Sequence, residues 1–202
     1  MTRSILLITA LLSFLFAGCS SEKKETAVSS TAPPEQVKAL NQADREKIAA
    51  FEKELFDVEK LSKKAMALVG NELKQVITGE KKTVDAAALV DTAKGEAKKS
   101  LDSVVAKAVP AKLPPWFTQN LVDAKKGFSD AYTAKIESFE AIKRFAEEKS
   151  PSALLEYKQK GALADKQFQA ARERLAAVLT ASGLPLKDAT TSGKNSENDH
   201  HG

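Results

Sequence analysis

Three observations predict an all-α fold. Apolar residues recur at three- and four-residue steps over long stretches, prolines and glycines fall between those stretches, and no run alternates apolar with polar residues as a strand would. Four such stretches with short connections predict an antiparallel four-helix bundle over residues 35–186. A polar N-terminal tether precedes it and a polar tail, residues 187–202, follows.

The first stretch starts near Pro34-Glu35 and runs to about Thr78, where Gly79 stops it. Val37, Leu40, Ile48, Phe51, Leu55, Val58, Ala65, Val69 and Val76 mark one apolar face. Asn41 with Asp44 forms a capping pattern that offers a later start, and Gly70-Asn71 offers a kink. The second helix has Thr83 as its N-cap and ends before Pro110; its stripe is Val84, Ala87, Val90, Ala97, Leu101, Val104 and Ala108. So many alanines let neighbours approach closely but bury little area, which makes this the weakest element. Three prolines between Val109 and Pro115 demand a non-helical corner.

Pro115 suits the first turn of a third helix that continues to about Lys149 and carries most of the aromatic side chains. Leu121, Ala124, Phe128, Tyr132, Ile136, Phe139 and Ile142 share a face, so this helix is expected at the centre of the core. Trp116 and Phe117 are expected to cap the end of the bundle rather than form an exposed adhesive patch. Ser150-Pro151 reads as an N-cap followed by proline at the first helical position. The fourth stripe, Leu154, Tyr157, Gly161, Ala164, Phe168, Ala171, Leu175 and Val178, alternates steps of three and four, which suits packing against long neighbours. Gly183-Leu184-Pro185 ends it with a left-handed glycine, an apolar residue and a proline.

Residues 1–34 are of another kind. Met1-Thr2-Arg3 is followed by an apolar run from Ile5 to Ala17, too short to span a bilayer, and then by Gly18-Cys19-Ser20-Ser21. Leu15-Phe16-Ala17-Gly18-Cys19 resembles the lipobox of bacterial lipoproteins, with Phe16 where that family prefers Leu. The resemblance implies removal of residues 1–18 as a signal peptide and lipidation of Cys19. Two or three acyl chains, at about 0.8 kcal/mol per buried CH₂, would make a stable membrane anchor. Ser20 after the cysteine, rather than Asp, resembles the pattern of lipoproteins sent to the outer membrane of two-membrane bacteria. The lipidated segment 19–34, rich in Ser, Thr and charge, is expected to be a flexible tether.

Composition argues against several classes of function. The chain has 31 Lys and Arg against 27 Asp and Glu, and the charges are interspersed: eight of each sign from Glu35 to Gly79, six of each from Trp116 to Lys149. A nucleic-acid surface would instead gather cations and aromatics on one face, so no nucleic-acid partner is expected. The only histidines, His200 and His201, lie in the tail, and Cys19 is the only cysteine. Nucleophile–base catalysis, zinc sites and Glu-x-x-His di-metal sites therefore lack their residues, and no catalytic, cofactor-binding or metal residue is assigned.

Glu137 and Glu140 on the third helix could do acid–base work but read as a solvated face. Glycines 70, 95 and 161 form no phosphate loop and read as kinks or close helix contacts. Ser62 and Glu72 interrupt the first stripe, where a polar residue sets register or snorkels more often than it binds a ligand. The expected protein is a lipid-anchored, non-catalytic binding or scaffolding module of the cell envelope, with an envelope protein as partner. A carrier of an apolar ligand or lipid in the bundle core, a structural spacer, and last an enzyme using dispersed carboxylates are the alternatives.

Overall fold

The computed structural model describes residues 31–78 and 83–186; within these, nothing is said of the side chains of 64–65, 68–69, 72–74, 76–77 and 83–86. The expected signal peptide, Cys19, most of the tether, the tail with its histidines, and the Glu72 side chain lie outside the described residues. Every regular element among the described residues is a helix: α1 (Pro34–Lys38), α2 (Gln42–Ile77), α3 (Thr83–Ala106), α4 (Pro115–Glu148) and α5 (Pro151–Ala181). None of them is long and apolar enough to cross a membrane.

The first predicted helix is two helices, which corrects the continuous reading from Pro34 and bears out the later start at the Asn41–Asp44 capping pattern. Asn41 Oδ1 accepts the Asp44 N–H at 2.9 Å, so the side chain caps a new helix at its third position instead of letting the old one continue. Leu40, in the break, turns into the core. From Gln42 the helix is unbroken through Gly70, about 54 Å at 1.5 Å per residue. Gly70 is not a close helix contact, because a Cβ there would have nothing within 4 Å; the same holds for Gly95.

α3 is helical from Thr83 itself, the residue expected as its N-cap, and stops at Ala106, earlier than its stripe suggested. Proline at 110 disfavours helical geometry in the residue before it, and the chain leaves the helix through a turn in which Lys107 N–H donates to the Val104 carbonyl at 3.1 Å. Ala108 is consequently exposed rather than buried. Lys112 adopts a left-handed φ of 65° within the proline corner. α4 follows, and its N-terminus meets α1 from the other end of the chain: Gln36 Oε1 accepts the Trp116 N–H at 2.7 Å. Proline at 114 has no side-chain acceptor, so this long-range bond satisfies a donor that the local sequence leaves orphaned.

Ser150 stands at the N-cap of α5, but its hydroxyl does not cap; it pairs with Ser152 Oγ at 2.8 Å. Pro151 and the Ser150 carbonyl start the helix instead, the latter accepting the Ala153 N–H. At the other end Gly183 has φ 68°, and Leu184 N–H donates to the Leu179 carbonyl at 2.9 Å, as the Gly-Leu-Pro signature predicts.

α4 is central, packed most extensively on α5 and then on α3. Ion pairs show the direction of packing. Lys143–Asp91 (2.8 Å) and Lys94–Glu140 (2.7 Å) tie α4 to α3; Arg144–Glu156 (2.6 Å), Lys160–Glu137 (2.5 Å) and Arg174–Asp123 (3.4 Å) tie it to α5. In both pairs numbers rise on one helix as they fall on the other, so the partners run in opposite directions. α4 and α5 approach closely at Gly127, where a Cβ would come within 3.0 Å of Ala171 Cβ.

Among the described residues, two apolar clusters fill the interior. The larger one lies toward the proline corner and joins Leu40, Ile48, Phe51 and Leu55 to Trp116, Phe117, Leu121, Phe128, Tyr132, Phe168, Leu175 and Val178. Trp116 and Phe117 are thus buried, with their rings edge to face at 5.0 Å. The smaller cluster, toward the α2–α3 connection, comprises Val90, Ala93, Ala97, Phe139 and Ile142. Met66 packs against both.

Candidate functional site

Polar side chains gather between the two clusters. On α2 the inward positions step by four and three: Ile48, Glu52, Leu55, Glu59, Ser62, Met66. Glu52, Glu59 and Ser62 are buried among them. Ser62 is only 2% exposed. Its hydroxyl reaches the Glu59 carbonyl at 2.9 Å and the Tyr132 hydroxyl of α4 at 2.7 Å, so a serine read as an interruption joins two helices.

Glu59 faces α5, where Arg172 meets it in a fork: Nε donates to Oε2 at 3.2 Å and Nη2 to Oε1. Such a bidentate pair supplies the hydrogen bonds that a buried carboxylate requires. One turn earlier on α5, Phe168 lies under the Arg172 guanidinium, 5.8 Å from carbon to ring centroid. Its edge contacts with Tyr132 (4.9 Å) and Phe128 (6.1 Å) complete an aromatic cluster beneath the ion pair. Burial pushes the Tyr132 phenol above its ordinary value of 10.0; the Ser62 bond opposes that shift and the Glu59 charge adds to it. The phenol is therefore a hydrogen-bonding group, not an acid, at neutral pH.

Beside this layer α2 and α5 part, leaving an open cleft of about 250 Å³. Met66, Ala67 and Phe168 supply apolar wall; Glu59 and Ser62 line it from within, and Lys63, Lys135, Asp165 and Arg172 supply the polar rim. Lys135, from α4, is 3.5 Å from Asp165.

The other residues singled out by sequence are not brought to this cleft. Glu137 accepts from Lys160 at 2.5 Å and Glu140 from Lys94 at 2.7 Å, so each carboxylate belongs to an ion pair between helices. Gly161 leaves room, the nearest atom to an added Cβ being Ser138 Oγ at 3.7 Å. Among the described residues, no three His, Cys, Asp or Glu side chains come together where they could hold a metal ion. Sequence reasoning missed Glu59 and Arg172. The available signal was the phase of Glu59, which falls on the inward step between Leu55 and Ser62.

Comparison of the chain with protein-family models, curated proteins and solved structures finds no match.

Proposed function

We propose that this chain is a lipid-anchored protein of a bacterial cell envelope, acting by binding or scaffolding rather than by catalysis. The observation that carries the reading is the run Leu15-Phe16-Ala17-Gly18-Cys19, with small residues ahead of a lone cysteine at the end of a short apolar segment. Cys19 is the attachment point, the segment from it to residue 31, ahead of the buried Ala32, is the tether, and an antiparallel four-helix bundle formed by α2–α5 is the working domain. The opposed directions of α3, α4 and α5, and the four-residue spacing between Thr78 and Thr83, favour that arrangement. With Ser20 after the cysteine, the outer membrane is its destination in a two-membrane host, and an envelope protein is its partner.

The non-catalytic reading is supported by the absence of His and Cys from residues 20–199 and by the pairing of Glu137 and Glu140 with lysines. The test is Cys19→Ser expressed in a bacterium fed radiolabelled palmitate. Label on the parent chain and none on the variant, with the variant either left as unprocessed precursor or released from membranes, is the expected result. Equal label on the two chains, or a processed variant that fractionates with the membrane as the parent does, would overturn the anchor. Crosslinking in intact envelopes then identifies the partner.

A further inference from the structure

The cleft between α2 and α5 has a composition that selects a ligand. At about 250 Å³ it lies just below the usual range for drug-sized molecules, so it suits a small one. Its walls are apolar at Met66 and Phe168, which favours a ligand with an apolar body.

Charge decides the head group. Glu59 lies inside, but both its oxygens are engaged by Arg172, so a cationic ligand would have to displace a bidentate guanidinium. Asp165 is 75% exposed and reaches toward water, whereas Lys135 is only 24% exposed and its stem is laid into the structure. Their 3.5 Å separation is a long contact, weakly held at a wet surface. Arg172 carries five N–H donors, and its bonds to Glu59 use two of them. Positive charge is therefore what the rim offers.

We propose that this cleft binds a small monocarboxylate with an aryl or alkyl body, the body against Met66 and Phe168 and the carboxylate at Lys135. The inference deepens the binding reading of the helical domain and does not depend on the lipid anchor. An incoming carboxylate would take the place of Asp165 at the ammonium, and its apolar part would cover wall now open to water.

The test is ligand-observed NMR on the full chain in lipid nanodiscs, with empty nanodiscs as blank. Phenylpropanoate and hexanoate are the probes; phenylpropanol and phenylpropylamine are the charge controls. The expected result is that at least one carboxylate binds, at least about fivefold more tightly than the alcohol or the amine. Lys135→Met should remove that preference while leaving the alcohol unaffected. Ala67→Trp, at an exposed position on the wall, should block every probe. Thermal unfolding followed by circular dichroism reports whether each variant is folded, and Lys135→Met stands as the test should Ala67→Trp unfold. No binding of either carboxylate, an amine bound as tightly as the acid, or carboxylate binding indifferent to Lys135→Met would overturn the proposal. None of these outcomes bears on palmitate labelling, so the two readings fail separately.

Discussion

Among the described side chains, the two ends of the helical domain bury different amounts with the same helices. Toward the proline corner the interior holds Phe51, Trp116, Phe117, Phe128, Tyr132 and Phe168; toward the α2–α3 connection it holds Val90, Ala93, Ala97, Phe139 and Ile142. A fully buried large apolar side chain stabilises by about 1.5–3 kcal/mol, whereas an alanine offers a single methyl group. Among the described side chains the corner end therefore supplies most of the burial. At the alanine-rich end the described large contacts are fewer and are joined by surface ion pairs such as Lys143–Asp91, which contribute little individually. The polar layer with its cleft lies at the boundary between the two clusters.

The largest way to break this contrast is Phe168→Ala. It removes the ring that Phe128 and Tyr132 both meet edge-on, and should cost about 3–5 kcal/mol in urea unfolding. A loss under about 1 kcal/mol would mean that the corner cluster is not where the stability lies. Next is Arg172→Met, which leaves Glu59 buried without its partner. Arg172 is one-third exposed, so water softens the penalty to about 3 kcal/mol, the lower end for a broken buried pair. Replacing both members, Glu59→Leu with Arg172→Met, should recover most of the loss. A double variant no better than the single one would show that the pair specifies structure beyond its own charge balance.

A smaller effect isolates the layer itself. Tyr132→Phe should cost about 1 kcal/mol at neutral pH, the net value of one hydrogen bond. Because the folded phenol holds its proton to higher pH than the unfolded one, its contribution is complete below the ordinary value of 10.0 and is lost as pH climbs through the raised folded value. The variant should therefore show a shallower decline of unfolding midpoint on the alkaline side. Tyr157, also raised by burial and by the Asp165 charge, preserves part of the slope. Identical alkaline slopes in parent and variant would remove Tyr132 from the account. The finest comparison is between two glycines. Gly161→Ala, with its nearest neighbour at 3.7 Å, should raise stability by about 0.5–1 kcal/mol through helix propensity. Gly127→Ala, meeting Ala171 Cβ at 3.0 Å, should not, because α4 and α5 must separate to admit it. Paired melting curves rank the two.

What could be read in the sequence was what a single helix determines alone. α4 and α5 were legible because each keeps one apolar phase and is bounded by proline, and α5 by Gly183 as well. The break at Ala39–Asn41 was harder, since the apolar phase continues through it and only the competition of the Asn41 side chain for the Asp44 amide interrupts the helix. Ala108 kept the phase of its stripe on paper after the chain had left the helix. The cleft was not legible. Glu59 and Arg172 are 113 residues apart, and nothing local to either says that α2 and α5 meet there and then part. Ser62 was visible as an anomaly, but its meaning required Tyr132 from another helix.

The bond from Trp116 N–H to Gln36 has a mechanical consequence. α1 is five residues long and lies ahead of the long helices, attached through Gln36, Leu40 and Ala32. Tension entering the described part of the chain at residue 31 reaches these attachments one after another, in a peeling geometry, before it can load α2 along its axis. Under such a load these attachments bear before the packed interior of α2 does.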